Sequence, residues 1–135
     1  MNREPNLTTD ASLLAVLDEL MAREPIFHRP EFGTTRADFD HMMAVDYWEI
    51  GASGRRYGRA FVLDMLEKRH AVPHEDIWAT KDFYCRRLSD DTYLLHYTLI
   101  QSRVRETRRT TLWKSTLDGW KILFHQGTVV EPEQG

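Results

Sequence analysis

The chain has 135 residues and a mass of 15.9 kDa, which is the length of one domain. Its composition, 41% hydrophobic and 29% charged, is typical of a globular protein and excludes a disordered chain, a collagen-like repeat or a disulfide scaffold. The 18 basic and 21 acidic side chains give a formal charge of −3. Such a chain has no overall attraction for nucleic acid or an anionic membrane, so neither is expected as a partner.

The cysteine content and the lack of common motifs limit the function classes further. The single cysteine, Cys85, cannot form an internal disulfide, which favours a reducing, cytoplasmic environment. No apolar run approaches the ~20 residues that span a bilayer. The sequence contains no glycine-rich phosphate loop, no H-E-x-x-H motif and no cysteine pair. We therefore expect a soluble cytoplasmic protein with no metal site and no cofactor.

A helix is predicted after a flexible arm over residues 1–8. Leucine and methionine recur at three- and four-residue steps over 10–24, and Asp10 or Thr9 is placed to cap the free amides at the start. Pro25 lacks the amide hydrogen that a continuing helix would use. The helix should therefore reach about residue 24 and end there.

Two more helices and a hairpin follow in the first half. A capped start at Thr34-Thr35, with Asp38 three residues on, predicts a short helix through residue 43. The pattern then predicts a strand over 45–50, a turn over 51–54, a return strand at 56–57 and a third helix over 59–69.

The second half is predicted to be β-rich. The expected strands cover 77–88, 93–104, 107–117 and 120–130, with turns at 89–91, 105–106 and 118–119. Helices that precede a run of strands indicate an α+β fold with a mostly antiparallel sheet. One domain over 9–130, followed by a tail over 131–135, is the expected organisation.

Glu49 is a candidate catalytic residue because it lies in an otherwise aromatic and aliphatic strand. Alternation places Tyr47 and Glu49 on the same face. If that face is interior, Glu49 needs a partner or a raised pKa, since an unpaired buried charge is too costly. The alternative is that Glu49 lies on the solvent face of an edge hairpin, and the sequence favours neither position.

Glu24 and His28 form a second candidate pair around Pro25. A helical backbone would bring residues four apart to one face, where a carboxylate and an imidazole can exchange a proton. The alternative is that both simply hold the connection after the first helix.

The last strand and two aromatic residues complete the candidate pocket. Regular alternation places Gln126 on the apolar face with Ile122 and directs His125 to the opposite face, unless a bulge intervenes. A structural histidine is favoured over a catalytic one at His125. Trp113 and Tyr97 offer flat surfaces that could line an apolar pocket or belong to the core.

The fourth and fifth strands predict a dimer. Residues 93–100 are apolar on alternating and sometimes both faces, so something should cover the side of the sheet away from the helices. A second copy of the chain is the simplest cover, giving a homodimer through the sheet. The basic run over 103–109 could meet an acidic ligand or RNA, although charged hairpin tips are more often solvated.

These elements, in this order, resemble the nuclear transport factor 2-like superfamily, which includes SnoaL-like cyclases and ketosteroid isomerases. The resemblance is carried by DYWEIGASGR at 46–55, GWKILFHQGT at 119–128 and EPIFHR at 24–29, and is closest to a bacterial branch of small domains. It extends over about residues 11–130.

The resemblance implies a cystatin-like cone, in which a curved, mostly antiparallel sheet wraps about three helices and leaves a pocket at its open end. It also implies frequent dimerisation through the sheet. In the isomerase relatives an acid in the first hairpin abstracts a proton, but Gly51 stands at about that position here. The isomerase mechanism is therefore not transferred to this chain.

Three functions remain open from the sequence. The first is a homodimeric domain that binds a small, partly apolar molecule in a pocket lined by Glu24, Tyr47, Tyr97, Trp113 and Gln126. The second is an enzyme, an isomerase, cyclase or hydrolase, in which Glu49 is a general base and His28 its partner. The third is a non-catalytic interaction module, whose pocket would be filled by its own side chains.

Overall fold

A computed structural model describes residues 3–72 and 77–132. Three helices precede most of the sheet: α1 (Leu14–Met21), α2 (Arg36–Met42) and α3 (Arg59–His70). Six strands form one sheet: β1 (Met43–Ile50), β2 (Arg56–Gly58), β3 (Trp78–Arg87), β4 (Thr92–Gln101), β5 (Arg105–Thr116) and β6 (Gly119–Val129). This confirms the predicted α+β architecture. Of the predicted tail, residues 133–135 lie outside the described residues.

The helices begin where capping residues predicted them. The Asp10 carboxylate accepts a hydrogen bond from the Ser12 amide at 2.9 Å, opening a 3₁₀ turn that leads into α1. Thr35 and Asp38 form a reciprocal capping box at the start of α2. The predicted end of the first helix at residue 24 is three residues too long, because α1 stops at Met21 and the chain then turns through a cis Glu24–Pro25 peptide.

The strand order in the sheet is β2-β1-β6-β5-β4-β3. All neighbours are antiparallel except β1 and β6, which run parallel and bring the first hairpin beside the last strand. One side of the sheet packs against the helices around a core that includes Leu20, Phe39, Leu66, Leu95 and Ile122, all at most 2% exposed. We call this side the inner face and the opposite side the outer face.

The turn between β4 and β5 lies three residues earlier than predicted. Ser102 and Arg103 both have positive φ, 52° and 66°, and the Val104 amide bonds the Gln101 carbonyl. The predicted turn at 105–106 is wrong. The actual turn contains neither glycine nor asparagine, so the sequence has no strong turn signal at its position. Arg105 therefore begins β5 and shares a face with Arg109, four residues on.

A bulge in β6 reverses which side chains point inward. Leu112 pairs with Phe124, whereas Trp113 pairs with Ile122, so Leu123 is an extra residue on β6. Ile122 and His125 are both buried as a result, at 0% and 3% exposure.

The first residues of the described chain lie against the sheet. The Glu4 carboxylate accepts a hydrogen bond from Arg108 at 2.7 Å, and the Thr9 hydroxyl accepts one from the Cys85 amide at 3.0 Å.

No helix in the described ranges is long and apolar enough to cross a bilayer.

Candidate functional site

A cavity of about 370 Å³ lies between the first hairpin, α3 and the inner face of the sheet. Its apolar wall comes mainly from Ile26, Phe27, Ile50, Val62, Met65 and Leu66. Its polar residues come from four different parts of the chain: His28, Glu49, Arg69, Gln101, Arg105, Arg109 and His125. We call this space the main cavity.

Glu49 lines the main cavity, so the structure favours the interior position over the solvent face. The Tyr47 hydroxyl, two residues earlier on the same strand face, donates to Glu49 Oε1 at 2.7 Å. Burial raises the pKa of Glu49 above its ordinary value, against the lowering effects of this hydrogen bond and of the charges on Arg109 and Arg69. Glu49 is thus a carboxyl group whose proton affinity is increased and which faces open space.

His28 also lines the main cavity, but it does not reach it by the predicted route. Phe27 has φ 68°, and the His28 amide donates to the Pro25 carbonyl at 3.1 Å, so this segment is a turn and not a helix. The helical pairing of Glu24 and His28, one of the two alternatives from the sequence, is therefore not formed. Arg69 on α3 lies beside the imidazole instead, with 3.4 Å between its Nη1 and His28 Nε2.

Glu24 is fully buried beneath the main cavity and does not line it. Oε1 accepts hydrogen bonds from the Tyr97 hydroxyl at 2.8 Å and the Ile26 amide at 3.1 Å, and Oε2 accepts one from Trp113 Nε1 at 3.1 Å. Burial raises the pKa of Glu24, while hydrogen bonds and the charge of Arg109 lower it. Three predicted pocket residues, Glu24, Tyr97 and Trp113, therefore meet in a buried polar cluster.

Trp113 is the member of this cluster that reaches a cavity, though a different one. A second space of about 210 Å³ is lined largely by apolar side chains, among them Trp113, Trp120, Phe32 and Met42. Ile26 and Phe27 line both cavities and separate them.

His125, and not Gln126, lines the main cavity. The prediction that placed Gln126 toward the pocket is wrong because the bulge at Leu123 shifts the alternation by one residue. His125 Nδ1 lies 2.8 Å from the Thr111 hydroxyl. Burial lowers the pKa of His125 well below its ordinary value, and the positive charges of Arg109 and His28 lower it further. The imidazole is therefore neutral near pH 7.

Three arginine side chains line the main cavity although the sequence did not predict them there. Arg105 and Arg109 of the basic run line the main cavity, and Arg69 joins them from α3. Arg108 faces outward, toward Glu4. A signal was present in the sequence: residues 105 and 109 are four apart, which puts both on one strand face once the turn is placed before them.

No protein-family model and no curated protein matches the sequence. Solved structures do match its fold. A protein of the DUF3225 family from Pectobacterium atrosepticum has a TM-score of 0.66 and 17% identity, covering 90% of this chain and 94% of its own. A protein with a cystatin-like fold from Caulobacter vibrioides has a TM-score of 0.65 and 15% identity, covering 85% of this chain and 89% of its own.

A third structure supplies the fold's name. It is a nuclear transport factor 2-like protein of unknown function in nutrient uptake from Rhodospirillum rubrum, with a TM-score of 0.64 and 16% identity, covering 87% of this chain and 98% of its own. The chain has the nuclear transport factor 2-like fold. In this fold the main cavity of the present chain lies between the helices and the curved sheet, and its lining residues set what it can bind.

Proposed function

We propose that the chain is a small-molecule-binding domain and that the main cavity is its binding site. The observation that supports this is a cavity of about 370 Å³ in which an apolar wall faces convergent polar groups. Pockets for small ligands have this size and this division between apolar walls and a few placed polar groups. An interaction module would fill the space with its own side chains, so the open volume argues against that third function.

An enzyme is the second candidate, and Glu49 supports it. A general base works best when its pKa is close to the working pH, and burial raises that of Glu49 in this direction. His28 lines the same cavity and is the candidate partner in a proton transfer. An isomerase, cyclase or hydrolase of SnoaL-like type would use this pair.

The variant Glu49→Gln distinguishes the two candidates. Glutamine keeps the size of the side chain and can still accept the Tyr47 hydrogen bond, but it cannot take up a proton. If the domain only binds, affinity for a neutral ligand stays nearly unchanged, as measured by titration calorimetry. If Glu49 is a base, binding persists while turnover falls by a factor of about 10² or more.

We also propose that two copies associate through the outer face of the sheet. Large apolar side chains form a row of cross-strand neighbours there: Leu94, Leu112, Phe124 and Trp48. The Trp48 and Phe124 rings contact each other with centroids 4.7 Å apart, and Trp48 is still 43% exposed. A second copy would cover this row, as apolar patches of this kind favour.

Sedimentation velocity at micromolar concentration tests the dimer. The parent chain should sediment as a dimer, and Trp48→Glu should sediment as a folded monomer because it places a charge in the centre of the interface. Val45→Glu is a matched control, since Val45 is 92% exposed and the same charge there costs little folding energy. A parent chain that is monomeric contradicts the proposal.

We also propose a cytoplasmic location. Cys85 is a buried free thiol, and free thiols are typical of a reducing environment.

A further inference from the structure

Three arginines surround the main cavity from two sides. Arg105 and Arg109 project from β5, and Arg69 projects from α3 across the space. A guanidinium group remains charged at any pH at which the protein is folded. The cavity is therefore lined by three permanent positive charges, of which those of Arg69 and Arg105 belong to exposed side chains.

These arginines differ from three other arginines that form ion pairs. Arg36 lies 2.7 Å from Asp64, Arg59 lies 2.7 Å from Asp40, and Arg108 lies 2.7 Å from Glu4. Within residues 3–72 and 77–132, none of the three cavity arginines has a carboxylate oxygen within 4.0 Å. Arg36, Arg59 and Arg108 thus each have a carboxylate partner, and the three cavity arginines have none in the described part of the chain.

The site stays positively charged whether the nearby acids are ionised or protonated. Glu49 is the one carboxyl group among the cavity-lining residues that the structure describes, and Glu24 lies buried beneath. If both are ionised, they offset two of the three guanidinium charges. The net charge is then +1, and it rises when either carboxyl group is protonated.

Two polar atoms at the cavity have no hydrogen-bond partner among the described residues. They are Nε of Arg109 and Nε2 of His125, both buried. His125 is only 3% exposed, and its other ring nitrogen already contacts Thr111. A buried donor or acceptor without a partner is costly, and a bound ligand is one means of satisfying it.

The backbone opposite Arg109 leaves this charge uncovered. Gly127 is the direct cross-strand neighbour of Arg109 and also lines the cavity. A Cβ atom at this position would lie 3.7 Å from Arg109 Nη1, so any side chain beyond it would extend over the guanidinium. Glycine keeps that space free.

We propose that the main cavity binds a small organic acid, with its carboxylate held by Arg109, Arg105 and Arg69 and its apolar body against the wall formed by Ile26, Val62 and Leu66. This inference rests on the proposed binding function and names its ligand class. Guanidinium groups bind carboxylates through paired, charge-assisted hydrogen bonds, which supply selectivity for an anion over a neutral molecule of the same shape.

Benzoate and benzamide are suitable probes because they share a shape and differ in charge. Binding is followed by backbone amide shifts in NMR titrations of the full chain. Benzoate should bind at least about tenfold more tightly than benzamide, and the preference should decrease as sodium chloride is added. In Arg109→Gln the benzoate affinity should fall about tenfold while that of benzamide stays within about twofold. Arg108→Gln is the matched control and should change neither.

Variants at Arg105, Arg69 and Gly127 test the same proposal independently of Arg109→Gln. If Arg109→Gln does not fold, Arg105→Gln and Arg69→Gln, which alter exposed side chains, should each reduce the benzoate preference about threefold. Equal affinity for benzoate and benzamide, with both lost in Gly127→Leu, would overturn the acid inference but leave the binding function in place. Inorganic phosphate binding as tightly as benzoate would overturn the role of the apolar wall. The absence of any shift at cavity residues would overturn both.

Discussion

Arg108 and Arg109 are adjacent in β5 and point to opposite faces of the sheet, where they meet different surroundings. On the outer face, Arg108 donates to the Glu4 carboxylate and to the Thr98 hydroxyl. On the inner face, Arg109 lines the main cavity, and its Nε atom has no hydrogen-bond partner within the described chain. The outer arginine is satisfied by the chain itself, whereas the inner one has hydrogen-bonding capacity left for a ligand.

The difference shows how one strand can serve two purposes. Alternation gives each face its own set of side chains, so a basic sequence run contains both a structural ion pair and a candidate binding group. The buried cluster of Glu24, Tyr97 and Trp113 lies on the same side as Arg109 and supports it from below. Four experiments test this division, beginning with the largest expected effect.

Removing the carboxylate beneath Arg109 should destabilise the fold most. Glu24→Ala leaves the Tyr97 hydroxyl, the indole N–H of Trp113 and the Ile26 amide without their acceptor, at a cost of roughly 3 kcal/mol or more in the free energy of unfolding. Glu24→Gln, the matched control, should lose less because its carbonyl oxygen still accepts. Urea denaturation measures both. Equal stability of Glu24→Ala and the parent chain would contradict the structural role assigned to Glu24.

Filling the space over Arg109 should weaken binding without unfolding the chain. A Cβ at Gly127 makes only ordinary contacts, so Gly127→Ala should bind benzoate nearly as the parent does. Gly127→Leu should weaken benzoate at least tenfold, equivalent to about 1.4 kcal/mol, since its side chain extends into the cavity. Titration calorimetry gives both affinities. Unchanged binding in Gly127→Leu would place the ligand elsewhere.

The pH dependence of stability should identify Glu49 as a buried acid. Because the pKa of Glu49 is higher in the folded state than in the unfolded state, protonation of Glu49 stabilises the fold. This stabilisation is lost as the pH rises above the ordinary value of 4.5. Glu49→Gln removes that loss. Relative to the parent, the variant should therefore gain stability between pH 4 and pH 7 in thermal denaturation. A difference that is constant with pH, or that falls as pH rises, would show that the pKa of Glu49 is not raised.

The ion pair on the outer face should contribute least. Arg108 and Glu4 are both partly exposed, and pairs of this kind are worth about 0–1 kcal/mol. A double-mutant cycle with Arg108→Gln and Glu4→Gln should give a coupling free energy in that range, and the coupling should decrease in high salt. A coupling above about 2 kcal/mol would show that the ion pair is structurally important. Arg108 and Arg109 would then differ in the strength of their interactions as well as in their partners.

The sequence predicted the element order well because the signals were local. The capping residues Asp10, Thr35 and Asp38 act within one helical turn, and the apolar pattern over 93–104 predicted the strand β4. Similar local patterns gave the hairpin of β1 and β2. These features need no knowledge of the tertiary structure.

The candidate site was predicted less well because it depends on non-local geometry. The bulge at Leu123 lies where β6 pairs with β5, and it places His125 instead of Gln126 on the cavity wall. The turn at Ser102 and Arg103 lacks the usual turn residues, so Arg105 was predicted to lie in a turn and not at the start of β5. Arg69 joins the site only when α3 packs across the sheet.

A crystal structure of the chain with benzoate tests most directly whether the main cavity holds an organic acid at Arg109. We expect the benzoate carboxylate within hydrogen-bond distance of the Arg109 guanidinium, with the ring against the apolar wall near Val62 and Leu66. Benzoate in the second cavity beside Trp113 and Trp120, or on the outer face beside Trp48, with the main cavity filled only by water, would contradict it.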